Sequence, residues 1–595
     1  MADQPAGAQS QKQQDLVLAN PVFDHIDGPA RGFQLGLLYI ATYVISRGWR
    51  AQIVAGEDVT SQIVRIIETG KNHPLVGFYV TADNVHEVER SSTALQNLFP
   101  DLNVVLGGPQ ARGDYRRLIE RGYTRFVCVG GDGEECALRL LEELSRGDEG
   151  DFSTVPNLAY AGEAGAAKLS RTTVLPVDLD IFPIPDRSLF PDGYKNAHHI
   201  ATSRGCASKC TFCYEGLPGK LRRHSVERVI DEMRYLHDQF GTQYFTFVDD
   251  TFTSDRPKVY EFCDRVKERF SIEEGVRWYC EAKVSDLCRA PEMARRMVDS
   301  GLARAQIGSE SGNDEILEAY KKHITVAQIE EAVGLLADQR ITSIFTNFIV
   351  GGVQETEASF RASLDLALRL MSRAPGILEC DFTFLSPYIN TDVQMRPDAY
   401  GIEVLDANFL RASSDSYLFA RSKELSISRV LEMGRVFRAE TDKKMSEIAK
   451  AISSETVRGQ LVSLKIGMST TWCEFLMRET TLRRWANMHG KGYVERVGAR
   501  HEDYGKYVPV RTFDLKQVGP SGLRSATRGR QYRFSELEMF LLELSAGKIS
   551  LSEVIHIAFE RFGSGKVGVA DFADDCVAFL EQCSSEFLLM FRKFG

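Results

Sequence analysis

Apolar residues near the start of the chain fall in short continuous runs, separated by stretches in which they recur every three or four positions. The runs Leu16 to Leu18, Ala51 to Val54, Leu75 to Val80, Val104 to Leu106 and Arg125 to Val129 predict strands, and Leu35 to Ser46 predicts an apolar helix. This alternation predicts a doubly wound, Rossmann-like α/β sheet over residues 15–160, with a ligand along its carboxyl edge. A second series follows: His198 to Ala201, Tyr244 to Val248, Val276 to Cys280, Ala305 to Ile307, Ile344 to Val350 and Phe382 to Leu385. Helix-like stretches such as Ser225 to Gln239 separate these strands, and the regular spacing predicts a parallel (β/α) barrel over 196–420.

Beyond residue 420 the pattern turns helical, through Ser426 to Ile452 and Leu461 to Met488. Met468, Trp472, Phe475, Met477 and Trp485 recur there at helical spacing, which reads more simply as core than as a pocket lining. Residues 421–530 form this helical region, and 531–595 read as a separate small unit. Its helices are Ser535 to Ser545, Leu551 to Phe562 and Val569 to Gln582, followed by an apolar tail. Ahead of them only Tyr507 to Phe513 reads as a strand. Residues 1–14 are polar and Gln-rich and predict a disordered leader, while 161–195 read as a linker. Ser145 to Ser153, Gly162 to Ala167 and Gly519 to Arg530 are linker-like as well.

At 595 residues there is length for several domains. A formal net charge of −10 disfavours a nucleic-acid groove as the main function. No apolar run reaches membrane-spanning length. Twelve cysteines in so long a chain are no disulfide framework, and scattered ones such as Cys128, Cys263 and Cys473 read as free thiols, which suits a reducing cytoplasm.

Three cysteines stand apart. Cys206, Cys210 and Cys213 lie in Thr-Ser-Arg-Gly-Cys-Ala-Ser-Lys-Cys-Thr-Phe-Cys-Tyr, directly after a strand. A C-x3-C-x2-C loop can hold a 4Fe-4S cluster by three corners, whereas closed clusters use four thiolates. The open iron can then chelate the amino and carboxylate groups of S-adenosylmethionine. Ordinary buried cysteines are the competing reading, and the position past a strand end argues against it.

The cluster loop resembles the radical S-adenosylmethionine superfamily, and the resemblance continues through the strand-end segments. Asp249-Asp250 follows one strand, Glu281-Ala-Lys283 another, and Gly308-Ser309-Glu310-Ser-Gly312 a third. What it implies is an incomplete barrel with S-adenosylmethionine contacts at Tyr214, Asp249, Asp250, Lys283, Gly308, Ser309 and Glu310. Asp249 and Asp250 could equally be solvated or cap the next helix. Glu281 could face the open iron, contact substrate or pair with Lys283. Tyr388, past the last barrel strand, is a substrate-contact candidate.

Upstream, Thr81-Ala-Asp-Asn84, Gly107-Gly108-Pro109 and Gly130-Gly131-Asp-Gly133-Glu134 end successive strands, and Val177 to Arg187 precedes the cluster. Such glycines also serve tight turns. Together they resemble cobalamin-dependent radical enzymes, which implies cobalamin (methylcobalamin) contacts at Thr81, Asn84, Gly107, Gly108, Pro109, Gly130, Gly131, Gly133 and Glu134. Asp24-His25-Ile-Asp-Gly28 has the wrong Asp-to-His spacing for the histidine-on motif, so His25 is rejected as a cobalt ligand. His86 is an outside candidate for the lower face.

The 531–595 unit resembles, in topology only, the winged-helix element that binds leader peptides, although a three-stranded sheet is hard to find. The whole combination resembles the tryptophan 2-C-methyltransferases of thiopeptide antibiotic biosynthesis. That resemblance implies free L-tryptophan as substrate, methyl transfer from S-adenosylmethionine through methylcobalamin to indole C2, and an electron donor for reactivation. A leader peptide stays open as a partner. Radical methylation of an sp3 carbon in a peptide or other precursor, cyclisation or oxidation without methyl transfer, and a non-enzymatic iron-sulfur scaffold or sensor remain alternatives.

Overall fold

The computed structural model describes residues 15–21, 34–56, 58–130, 132–173, 178–190, 199–213, 221–406, 417–498, 501–519, 522–525, 528–563 and 568–593. By packing, the chain divides into two compact units. The first comprises Met1–Ala332, Asn347–Leu364 and Phe382–Arg435, and the second Val333–Thr346, Asp365–Asp381 and Val436–Gly595.

The first unit begins with β1 (Leu16–Pro21), α1 (Leu35–Ser46), β2 (Ala51–Gly56), α2 (Val59–Gly70), β3 (Leu75–Tyr79), α3 (Val85–Leu98), β4 (Val104–Gly107), α4 (Pro109–Glu120), β5 (Phe126–Cys128) and α5 (Gly133–Ser145). The strands pair in parallel in the order β2-β1-β3-β4-β5, which is a doubly wound order whose direction reverses between β1 and β3. Every residue of β1 is buried. Leu16 and Leu18 face a core built with α1 and α5, while Val17 and Ala19 face α2, α3 and α4. Burial on both faces is why these strands read as continuous apolar runs rather than alternating ones. Two more strands, β6 (Leu158–Ala161) and β7 (Ala167–Leu169), extend the sheet antiparallel. Pairing therefore continues into the stretch expected to be linker.

A strap over 178–190 follows. Leu179, Phe182 and Phe190 join the α1/α5 core, and the Asp186 amide donates to Thr42 Oγ1 (2.9 Å). The strap grips what comes next: β8 (His199–Ile200), the antiparallel pair β9 (Ser203–Arg204) and β10 (Arg222–Arg223), and α6 (Val226–Phe240). Arg187, fully buried, donates to Glu232 of α6 (2.7 Å) and to the His199 carbonyl (2.6 Å). Asp180 accepts from the Ser225 amide at the start of α6 and lies 2.8 Å from His224 Nδ1.

The chain continues as β11 (Tyr244–Phe247), α7 (Arg256–Arg269), β12 (Arg277–Glu281), α8 (Val284–Arg289), α9 (Glu292–Asp299), β13 (Leu302–Glu310), α10 (Asp314–Ala319), α11 (Val326–Ala337), β14 (Ser343–Val350), α12 (Glu357–Arg373) and β15 (Leu378–Phe384). The sheet order is β15-β14-β13-β12-β11-β8, and β8, β11, β12 and β13 pair in parallel. Among the described residues the two end strands do not pair with each other, so the six strands form an open sheet. β13 is longer than the sequence pattern suggests. It carries Gly308-Ser309-Glu310 as its last residues rather than in a following loop.

In the second unit, Trp472 and Trp485 are fully buried, with Met468 close to it, so the regularly spaced aromatic and Met positions are largely core. Trp472 Nε1 donates to the Leu378 carbonyl (2.8 Å). The C-terminal helices Glu536–Leu544, Leu551–Phe562 and Val569–Ser585 pack on an antiparallel sheet of Tyr493–Val494, Leu589–Lys593 and Tyr507–Arg511. Capping boxes at Ser535/Glu538 and Ser550/Glu553 start the first two helices. The sequence suggested one strand here. The missing central strand is the apolar tail, which pairs with residues far upstream.

Candidate functional site

The carboxyl ends of β1, β3, β4 and β5 open onto a cavity of about 700 Å3. Gly107, Gly108, Pro109, Gly130, Gly133 and Glu134 line it from the sheet side, with Leu35, Gly36 and Tyr39 of α1. Ser203, Arg204, Gly205, Val248 and Asp250 line it from the barrel side. The cavity thus reaches the residue immediately before Cys206.

The glycines serve different ends. Gly108 has φ +102°, and a Cβ there would meet the Val80 carbonyl oxygen at 2.6 Å. At Gly130 a Cβ would meet Asn157 at 2.5 Å and at Gly133 the tip of the Ile40 side chain at 2.7 Å, so packing within the protein already accounts for Gly108 and Gly130. Gly36 is different, since among the described residues a Cβ there would meet nothing, and at Gly107 it would meet only Cys128 Cβ at 3.8 Å. These two present bare backbone to the cavity, a cradle that a side chain would narrow. An apolar, glycine-floored space of this kind fits a flat macrocycle such as the corrin of cobalamin.

Glu134, at the cavity wall, is also engaged within the protein. Its carboxylate accepts from Arg204 Nη2 (2.6 Å), and Asp132 takes both Arg204 (2.8 Å) and Arg222 (2.5 Å). Asp132 and Glu134 are only 1% and 2% exposed, and Arg204 lies 4.7 Å from the Tyr39 ring centroid. This buried network ties the start of α5 to the β9–β10 pair that flanks the cysteine loop. Sequence reasoning missed Asp132, Arg204 and Arg222. Arg204 stands two residues before Cys206, which was the available signal.

Thr81 lies with Pro109 and Tyr388 around a smaller cavity of about 90 Å3. Asn84 braces that loop, accepting from the Thr81 amide (2.8 Å) and donating to the Tyr79 carbonyl (2.9 Å). His86 is 3.5 Å from Glu89. Gly131, Tyr214 and His25 lie outside the described residues.

All twelve cysteines are free, and Cys206, Cys210 and Cys213 are partly exposed on one loop. The Thr211 amide donates to the Tyr320 carbonyl (3.1 Å) and the Thr211 carbonyl accepts from the Val393 amide (3.1 Å), pinning the loop's centre. Among the described residues no three His, Cys, Asp or Glu side chains converge on a single ion. Three thiols spread along a loop suit a polynuclear cluster, which takes one thiolate per iron. Burial and nearby Glu310 and Cys206 raise the Cys210 thiol, while Lys322 and Lys283 oppose this.

Glu310 adopts φ +59°, a left-handed conformation uncommon for a side-chain-bearing residue and typical of functional sites. Its Oε1 lies 3.1 Å from Lys322 Nζ, and the absence of a Cβ on Gly308 leaves room for that pair. Gly312 answers to packing, because a Cβ would run into the Ala362 carbonyl and the Ser363 backbone of α12. Ser309 is fully buried.

Asp249 is buried and accepts from Thr202 Oγ1 (2.9 Å), Ser203 Oγ (2.6 Å) and the Ser203 amide, and burial pushes its carboxyl up to about 6. It therefore anchors the strand before the cysteines. Glu281 is pushed up to about 7 by burial and by Asp250, with Lys322 opposing; Gln306 Nε2 donates to it at 3.4 Å. Asp250, Glu281, Glu310 and Lys322 thus form one electrostatic cluster beside Cys210. The Lys283 amide donates to Thr253 Oγ1 (2.9 Å) at the start of α8. Tyr388 packs with Ala82 and Phe419.

Residues 200–367 match the model of the radical SAM superfamily. An uncharacterized methyltransferase of Pyrococcus horikoshii is 30% identical over 373 residues, covering 60% of this chain and 77% of that protein. An anaerobic magnesium-protoporphyrin IX monomethyl ester cyclase of Rubrivivax gelatinosus is 26% identical over 342 residues, covering 55% of this chain and 60% of that protein. The radical S-adenosylmethionine methyltransferase TsrM of Kitasatospora setae, solved with cobalamin and a 4Fe-4S cluster bound, shares the fold. It aligns at TM-score 0.60 and 18% identity over 77% of this chain and 97% of its own. TsrM has also been solved with tryptophan substrate and an S-adenosylmethionine analogue bound. With 77% of the Pyrococcus protein matched at 30% identity, and the radical SAM model matching residues 200–367, which include the cysteine loop, this chain belongs to the radical SAM superfamily of enzymes.

Proposed function

We propose that the chain is a cobalamin-dependent C-methyltransferase acting on a small molecule, with indole C2 of L-tryptophan as the favoured acceptor. The observation that carries this reading is the 700 Å3 cavity, which one side of a doubly wound sheet shares with the residues leading into the cysteine loop. The Pyrococcus relative and TsrM support it. Bound there, cobalamin, S-adenosylmethionine and a 4Fe-4S cluster would supply a transferable methyl group and an electron path for reactivation.

The chain's share is positioning and water exclusion. Cys206, Cys210 and Cys213 would hold the cluster, Gly36 and Gly107 would let a corrin approach the backbone, and Glu310 would meet the nucleoside of S-adenosylmethionine. Glu281, whose carboxyl burial keeps near neutral titration, would face either the open iron or the substrate. Tyr388 and the Thr81 loop would close the far edge, and a leader peptide would meet the C-terminal helices if the substrate were peptidic.

The test is an anaerobic reaction with reconstituted protein, cobalamin, L-tryptophan and methyl-deuterated S-adenosylmethionine, analysed by mass spectrometry. Labelled methyltryptophan without matching 5'-deoxyadenosine supports polar transfer to tryptophan. Methyltryptophan with stoichiometric 5'-deoxyadenosine keeps the substrate and replaces the route. No methylated product from cofactor-replete protein removes the tryptophan reading. A second reading, cyclisation or oxidation without methyl transfer, is favoured by the Rubrivivax relative. It would show as 5'-deoxyadenosine formed while labelled methyl never reaches a product.

A further inference from the structure

The second unit contains a polar cavity of about 170 Å3, lined only by residues of that unit. Arg528 lines it and is 2% exposed. Its Nη2 is engaged by Ser454 Oγ (3.2 Å) and the Ile452 carbonyl (3.5 Å), but among the described residues Nε and Nη1 have no hydrogen-bond partner. Nη1 stands 3.7 Å from Glu586 Oε2, beyond hydrogen-bond reach. That carboxylate is already taken by Arg530 Nη1 (2.5 Å) and Tyr532 OH (3.1 Å). A buried guanidinium with two open nitrogens is costly unless an acceptor completes it.

A second, independent feature meets it in the same cavity. The nine-residue helix Thr480–Met488 begins there, with Thr480 and Thr481 among the lining residues, and no side chain caps it. First-turn amides and the helix dipole favour an anion at that position. Arg478 and Arg524 line the cavity too, against Glu479 and Glu586. Glu479 also accepts from Ser525 Oγ (2.8 Å). The lining therefore carries more cation than anion, and both carboxylates are already engaged.

We propose that this cavity is a binding site for a small oxoanion, a phosphate or carboxylate group seated between Arg528 and the first turn of Thr480–Met488. It shares no lining residue with the 700 Å3 cavity and needs neither that cavity nor the cysteine loop to be loaded.

The experiment is isothermal titration of the full-length protein with inorganic phosphate and, separately, with acetate, at constant ionic strength set by chloride. Saturable 1:1 binding of either is expected, and the stronger of the two identifies the anion geometry. Arg528→Met should weaken it by about tenfold or more and Arg528→Lys by less, since charge is kept while the fork geometry is lost. Arg524→Ala, at an exposed position, should weaken it several-fold, which keeps the test open if Arg528→Met does not fold. No saturable binding of either probe overturns the proposal. So does binding that Arg528→Met, or Arg524→Ala in its place, leaves unchanged.

Discussion

Two glycines answer to opposite demands, and substituting each should show it. At Gly312 a Cβ would collide with the backbone of α12, so Gly312→Ala should cost about 1–3 kcal/mol of stability by chemical denaturation. At Gly36 a Cβ would meet nothing among the described residues. Gly36→Ala should leave stability unchanged or slightly raised, since Ala is the better helix former, while weakening cobalamin binding by about tenfold. If Gly36→Ala binds cobalamin as the parent does, the corrin does not lie against α1. Single-residue chemistry was only partly legible in the sequence. The cysteine triplet announces itself by spacing, but whether a carboxylate is free depends on long-range partners. Glu134 is claimed by Arg204, seventy positions away, and Asp249 by Thr202 and Ser203. Lys322, which pairs with Glu310, carries no local signal at all.

Elements were legible where burial is two-sided and local. The strands of the first sheet are continuous apolar runs because helices cover both faces. β7 and Leu589–Lys593 were not, because a short edge strand and a tail are recognised by their partners rather than by their own pattern. The turn after β14 shows a further device. Glu355, 2% exposed, accepts from the Gly351 amide, and burial raises its carboxyl from the ordinary 4.5 to about 8. The folded chain therefore holds a proton that the unfolded chain has released. This contribution is fully present below about pH 4.5 and is lost as pH rises through about 8. Denaturation at several pH values should show the parent losing stability over that window relative to Glu355→Gln, and parallel curves would contradict it. The Arg204 network is the other element-level bolt. Arg204→Met strips Glu134 of its cation and should cost about 3–5 kcal/mol, part of which Glu134→Gln should restore in the double variant.

At the scale of the whole chain, the proposed cluster and cobalamin sites rest on different supports: three thiols on a barrel loop, and a cavity floored by the sheet. Cys210→Ala should therefore abolish iron and sulfide incorporation while cobalamin binding persists. Loss of both together would mean that the cluster shapes the cavity. The strap over 178–190 has a consequence of another kind. Leu179, Phe182 and Phe190 complete the core of the first sheet, while Arg187 is locked into α6. A fragment cut at residue 160 would carry an uncovered greasy face and precipitate rather than fold. The sheet is thus not a portable module: transplanting it into another enzyme, by recombination or by design, requires bringing the strap and the barrel helix that receives it.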